Sequence, residues 1–403
     1  MKDTVAAIAT HPRFRAACDT MRAEHDRTVE DIIRLTEIPA PPFGEEARAA
    51  AYLAMLQQHG LEEVEQDEAG NVMGRRRGFG NGETLVVAAH LDTVFPAGTD
   101  VRVRREGTKL FAPGVGDDTR SLAVNLAFLR ALDAAGIRTR ADILFVGDVG
   151  EEGLGDLRGV RHLFTKGRHA GKIDAFLTVD SPEVDRIVTG GVGSKRYRVV
   201  FRGPGGHSFG AFGLVNPMYA MAEATRGIGA IQVPRTPQTT HCVSIVSGGT
   251  SVNAIPNEVR IEVDLRSRAP AELARIDAEF RAIVERAVAQ ENATRDTRDG
   301  TVSAEIIPIG DRPAGGTAHD NPIVAAATAA VAYHGYTVSY EDSSTDANIP
   351  MSLGIPALRI GSGGRGGRAH SLEEWIDVER EESLRGMSAS LLTILAAAGA
   401  ELD

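Results

Sequence analysis

Hydrophobic positions along this chain follow two rhythms, and the change from one to the other divides it. TLVVAAH (84–90), ADILFVGD (141–148) and IDAFLTVD (173–180) are nearly unbroken apolar runs. Runs of this kind mark strands buried on both faces. Segments with helical spacing surround them: residues 19–37, residues 45–59 with Gly60 as a stop, and SLAVNLAFLRALDAA, opened by Asp117 or Asp118 and closed by Gly136. Strands alternating with helices predict an α/β domain with a largely parallel sheet. Near residue 192 the rhythm changes. KRYRVVFRG reads as an alternating strand, NPMYAMAEATRGI as a helix, and HCVSIVSGG and EVRIEVDLRS as paired strands. The helix AELARIDAEFRAIVERAVAQ and the strand TVSAEIIPI follow, which completes the βαββαβ order of a ferredoxin-like unit. The α/β style then resumes with a helix in VAAATAAVAYHG, a strand in IPALRIG and a closing helix in LRGMSASLLTILAAAGA.

The expectation is therefore an α/β protein of two domains. A catalytic domain is split between residues 1–191 and 310–403, with an inserted ferredoxin-like α+β lid at residues 192–309. The length of 403 residues agrees, being too great for one ordinary core. No stretch approaches the roughly 20 apolar residues of a membrane span, and the N-terminus lacks the apolar region of a secretory signal. A net charge of −11 argues against nucleic acid as a partner. The glycine-rich GSGGRGGRAH (361–370) has no Walker lysine, so it is not read as a phosphate loop. With only two cysteines, Cys18 and Cys242, a reducing cytoplasm is expected. Any metal site must then be built from His, Asp and Glu, which suits catalytic zinc, manganese or cobalt.

Parallel sheets gather ligands at the C-terminal ends of their strands. His90, Asp180 and the pair Glu151–Glu152 all fall at or just after such ends. Each alone has an ordinary reading: a hydrogen-bonded histidine, a solvated acidic pair or, for Asp117 and Asp118, a helix N-cap. As a set they differ, because several carboxylates delivered to one sheet edge repel one another and bound cations remove that cost. His90 and Asp92 are two residues apart, so both side chains leave the strand end on the same face.

The ordered motifs HLDTV, GVGDDTRS, GEEG, LTVD, GGHS and GGRAHSLEEW resemble the M20 family of metallopeptidases, its peptidase T-like members above all. The resemblance spans nearly the whole chain. It implies two divalent metals, zinc first with manganese or cobalt as alternatives. His90 and Asp180 would hold one, Glu152 and His370 the other, and Asp117, rather than Asp118, would bridge. It implies Glu151 as general base and a lid histidine, His207, reaching the active site of a partner subunit, so that the protein is a homodimer through its lid. Asp92 would accept the second ring N–H of His90. A substrate carboxylate would be held by Asn253 and Arg266, with Gly361, Gly363 and the rest of that loop offering backbone N–H groups. One departure stands out: Thr119-Arg120-Ser121 follows Asp118 where many members have Lys-Gly, which makes transfer of their substrates unsafe. The other eight of the eleven histidines match no ligand motif and read as structural. The implied activity is hydrolysis of a small-peptide amide, in di- or tripeptides. The alternative is an N-acyl-amino-acid amidohydrolase with the same machinery. A non-catalytic peptide binder would lack the base or a ligand, and none is missing.

Overall fold

The structure is a computed structural model and describes residues 1–80 and 82–401. The chain divides into two compact units, Met1–Gly191 with Gly316–Asp403, and Val192–Gly315. The last residues of the expected catalytic domain, 402–403, lie outside the described residues.

The larger unit is built on a long mixed sheet. Its centre is four parallel strands in the order Asp142–Asp148, Thr84–His90, Ala175–Val179, Ala357–Ile360. Every residue of Thr84–His90 and of Asp142–Asp148 is buried, as their continuous apolar character requires. The two-residue strand period splits Thr84–His90 between two cores. Leu85, Val87 and Ala89 pack into a cluster with the helices Arg120–Ala134, Pro322–Tyr333 and Arg380–Ala398. Val86 and Ala88 join the cluster of the helix Arg158–Thr165 on the other face. Because the central strands run parallel, His90, Asp148 and Asp180 emerge along one edge. Antiparallel strands flank this centre, Glu62–Gln66 with Val72–Arg76 on one side and Arg186–Gly191 on the other. A separate small antiparallel sheet joins Arg104–Glu106, Lys109–Phe111, Trp375–Asp377 and Arg365–Gly367.

The smaller unit is an antiparallel sheet in the order Thr239–Gly248, Glu258–Ser267, Gly193–Arg202, Ser303–Arg312. Counted along the chain, the order is 2-3-1-4, the ferredoxin-like arrangement. Tyr197, Val199, Phe201, Ile261 and Val263 face the helices Pro217–Gly229 and Pro270–Thr294. Alternate residues on the open face pair across strands, Arg196 with Asp264 at 3.1 Å and Arg198 with Glu262 at 2.9 Å. The expected end of this unit at 309 falls inside its last strand, which stays paired through Arg312, so the boundary moves to Gly315. Pairing overrides the apparent end at the Pro308-Ile309-Gly310 step, where the register shifts and then continues.

One local expectation changes. Residues 19–37 are not one helix: Pro12–Ala23 and His25–Thr36 meet at Glu24, whose backbone leaves the helical region. The N-terminal segment forms a helix, Lys2–Thr10, which buries Val5, Ile8 and Ala9. Among the described residues, no helix is long and apolar enough to cross a membrane.

Candidate metal centre

The edge where the parallel strands end collects the site. His90 closes its strand fully buried, with Nε2 2.9 Å from Asp117 Oδ1. Asp117 Oδ2 lies 3.1 Å from His370 Nε2, so one carboxylate spans two imidazoles. His370 Nε2 also sits 2.9 Å from Glu152 Oε1. Hydrogen bonds to the carboxylates of Asp117 and Glu152 push the His370 imidazole up to about 11, because two acids beside one ring favour its cationic form. Burial raises Asp117, but hydrogen bonds from His370 and His90 outweigh it and hold the carboxyl well below the usual range.

Among the described residues, two groups have ligand atoms within 4.8 Å of one another: His90 with Asp117 and Glu152, and His90 with Asp118 and Asp180. The donors are imidazole nitrogen and carboxylate oxygen with no sulfur, the set that suits zinc, manganese or cobalt. Four carboxylates against one buried imidazole also leave a negative excess that divalent cations offset. The donor chemistry therefore fits a metal pair. Asp117 and Asp118 have different surroundings, and their shared peptide is cis. Asp117 faces both histidines, whereas Asp118 is fully buried and accepts the backbone N–H of His90 at 3.2 Å.

Asp92 departs from its expected contact. The His90 Nδ1–H donates to the backbone carbonyl of Asp92 at 3.0 Å, while the Asp92 carboxylate lies 3.7 Å away. The two-residue turn brings the carbonyl closer than the side chain. The carboxylate instead accepts the backbone N–H groups of Glu151 at 3.0 Å and Glu152 at 2.8 Å. It thus fixes the segment that carries both acids, each 7 % exposed. Asp180 is held by its own N–H to the Ile360 carbonyl at 2.9 Å and by Ser181 Oγ at 3.0 Å.

His370 stands in the hairpin loop 368–374 between two strands of the small sheet, at φ +63°. Glu374, four residues on, is a component the motif reading passed over. It is 1 % exposed and accepts the backbone N–H groups of Gly114, Gly116 and Asp117 at 2.8, 2.8 and 2.9 Å. One carboxylate thereby ties the His370 loop to the Asp117 loop. Arg48 was passed over too. It is fully buried and donates to the Leu91 carbonyl at 2.7 Å and to that of Ile38, pinning the turn between His90 and Asp92. Its position in a helical stretch carried no signal. In Glu374 the only signal was the second acid of SLEEW.

Of the residues expected to hold a substrate carboxylate, Gly361 and Gly363 belong to the larger unit, and Asn253 and Arg266 to the smaller. Gly361 and Gly363 face packed backbone: an added Cβ would meet Glu183 O at 2.2 Å and Met387 N at 2.5 Å. Their lack of a side chain permits that close packing. Within the smaller unit, Asn253 lies beside the ribbon in which Gly206–His207 pairs with Ala254–Ile255. Arg266 is eight residues beyond the first residue of Glu258–Ser267, about 26 Å along an extended chain. Its guanidinium is bound to Asp264 at 2.6 Å. His207 is exposed, and its Nδ1 accepts the N–H of Phe209 at 3.2 Å, which leaves Nε2–H to donate outward.

A mixed α/β unit that gathers imidazole and carboxylate ligands around a pair of buried glutamates defines a metal-dependent hydrolase. The family model of peptidase family M20/M25/M40 matches residues 86–397, and the chain belongs to that family. It is 30% identical to carboxypeptidase G2 of Pseudomonas sp. (strain RS-16) over 146 residues, 34% of this chain but only 35% of that protein. It is 28% identical to succinyl-diaminopimelate desuccinylase of Leptothrix cholodnii over 261 residues, 59% of this chain and 67% of that protein. The fold resembles the crystal structure of the aminopeptidase PepT from Bacillus cereus, with a TM-score of 0.74 at 22% identity, covering 93% of this chain and 99% of that one.

Proposed function

We propose that this protein is a two-metal peptidase that hydrolyses the amide bond of small peptides, di- or tripeptides first. The observation that carries the reading is the Asp117 carboxylate, with one oxygen on His90 and the other on His370. His90 and Asp180 would hold one metal, Glu152 and His370 the other, and Asp117 would bridge; zinc is the metal we favour, with manganese and cobalt able to replace it. A bound pair of such ions makes water a stronger acid and polarises the scissile carbonyl. Glu151 is the general base. It takes a proton from the attacking water and delivers it to the leaving nitrogen, so each catalytic cycle returns it to its starting state. Asp92 positions it by holding its backbone N–H. His207 of a second copy donates Nε2–H to the developing oxyanion, which makes the working form a homodimer. The exposed edge strand Thr239–Gly248, with Ile245 47% and Val246 58% exposed, supports a contact through this unit. We place the protein in the cytoplasm, in keeping with its two free cysteines.

A second reading, an N-acyl-amino-acid amidohydrolase, draws on the similarity to the desuccinylase. The test is a zinc-loaded sample given one pool of free tripeptides and N-acyl amino acids, followed by mass spectrometry. Loss of tripeptides with release of a single residue is expected. Loss of the acyl compounds alone would replace the peptidase reading with the amidohydrolase one.

A further inference from the structure

The stretch Pro41-Pro42-Phe43-Gly44, just before the helix Glu46–Leu56, forms a tight turn in which the Gly44 N–H donates to the Pro41 carbonyl at 2.8 Å. Proline at the second position and a positive φ at the third mark a type II turn, whose third residue is ordinarily glycine. Here the third residue is Phe43, at φ +66°, and the glycine stands one place later. A bulky side chain in that conformation is strained. Burial does not repay the cost, because Phe43 is 61% exposed. An exposed aromatic residue is ordinary by itself; one held at a turn position that favours glycine points to a function for its ring.

The turn is tied to the metal centre from two sides. The Ala40 carbonyl accepts the N–H of Thr93, which follows the His90–Asp92 turn, at 3.0 Å. On the other side, Glu45 is 2% exposed and its carboxylate accepts the Phe43 N–H at 3.1 Å and Arg158 Nη2 at 2.8 Å. The Arg158 guanidinium lies over the Phe43 ring, 4.8 Å from its centroid. It also covers Gly150, the residue before Glu151, so closely that a Cβ there would overlap it. The Gly150 carbonyl in turn accepts the Leu157 N–H at 2.8 Å. Phe43 is thereby fixed, through Glu45 and Arg158, to the segment that carries both glutamates.

We infer that Phe43 is a specificity-determining residue, its ring a platform for an apolar side chain of the substrate. The inference rests on the hydrolase reading above and narrows its substrate class to peptides or acyl-amino acids with an aliphatic or aromatic side chain beside the scissile amide. The sign of the preference follows from Arg158. One face of the ring already carries a guanidinium, so a second cation on the opposite face would be repelled, whereas an apolar group there gains contact and loses water.

Trialanine and its single-leucine and single-lysine analogues test this on the zinc-loaded protein. At one peptide position, leucine should exceed alanine in kcat/KM by about 10-fold, the size of burying part of an apolar side chain, and lysine should not. Phe43→Gly and Phe43→Asn remove the ring while supplying residues that the turn accepts, so a folded protein is expected from at least one of them. In both, the leucine-to-alanine ratio should fall to near unity, and Phe43→Tyr should keep it. Hydrolysis of trialanine without a leucine preference at any position overturns the inference and leaves the hydrolase reading standing. A ratio unchanged in Phe43→Gly or Phe43→Asn, or a lysine preference equal to that for leucine, also overturns it. If no peptide is hydrolysed, the hydrolase reading fails, and calorimetric binding of the same intact peptides decides the platform. Tighter binding of a leucine peptide that depends on Phe43 upholds it, and equal binding or none overturns it.

Discussion

The two ends of the central sheet treat charge in opposite ways. At the strand beginnings, Asp142 is 3% exposed and compensated several times over. Arg75 reaches it at 2.9 Å and Arg77 at 3.1 Å, and the Gly78 N–H donates at 2.8 Å. Nearby, His169 lies against Arg75 and Arg168, and burial followed by those two cations lowers its imidazole to about 4. At the strand ends the acids outnumber the local cations, and His370 is pushed up to about 11 instead. The same residue types, histidine, aspartate and glutamate, thus serve as closed ion pairs at one end and as an open set of ligands at the other. What separates them is whether the protein supplies the counter-charge itself. A buried carboxylate with its own arginine is structural; several sharing one or two imidazoles fit an added cation.

This contrast can be broken at either end. The largest effect expected is from Glu151→Gln, which should lower kcat by about 10²- to 10⁴-fold while leaving metal stoichiometry intact. Steady-state kinetics with elemental analysis reads both, and full activity would remove Glu151 as base. At the opposite end, Asp142→Asn should destabilise the fold by about 3–5 kcal/mol in chemical denaturation, because Arg75 loses a buried partner. It should leave metal stoichiometry unchanged; loss of metal there would erase the distinction drawn between the two ends. Glu374→Gln should weaken metal binding by about 10-fold or more, since the Asp117 loop loses a charged acceptor for three N–H groups. The exposed neighbour variant Glu373→Gln serves as the control, and equal affinities in a metal titration would show that the clamp does not position Asp117.

The smallest effect is a pH dependence. An imidazole whose pKa is lowered on folding resists protonation in the native state. The stability it supports is therefore present above its unfolded value of about 6.5 and is lost as pH falls toward about 4. His169→Gln should flatten that part of the acid-denaturation profile and leave the profile above pH 7 unaltered. An unchanged slope between pH 6.5 and 4 would mean that His169 does not titrate in that window.

How far each part was legible follows from the range of the interactions that set it. The strands ending at His90, Asp148 and Val179 were readable because burial on both faces demands continuous apolar residues. The smaller unit was readable because a sheet with one helix-covered face demands alternation. The helix Lys2–Thr10 was not, since its few apolar positions acquire meaning only against the helices Pro322–Tyr333 and Arg380–Ala398. The ion pair of Arg266 with Asp264 was not legible either, because motif order says nothing of which charges share a strand face.

By itself, the sequence determined the elements, the two units and the residues delivered to the strand ends, because side-chain period and burial act over a few neighbouring positions. Only the tertiary structure decided that Glu374 clamps Gly114 to Asp117 across some 260 residues, and that the Asp92 carbonyl rather than its carboxylate orients His90. Those outcomes depend on which polar groups become neighbours when distant segments pack. A hydrogen bond requires its atoms within about 3 Å, a condition that no local pattern of residues encodes.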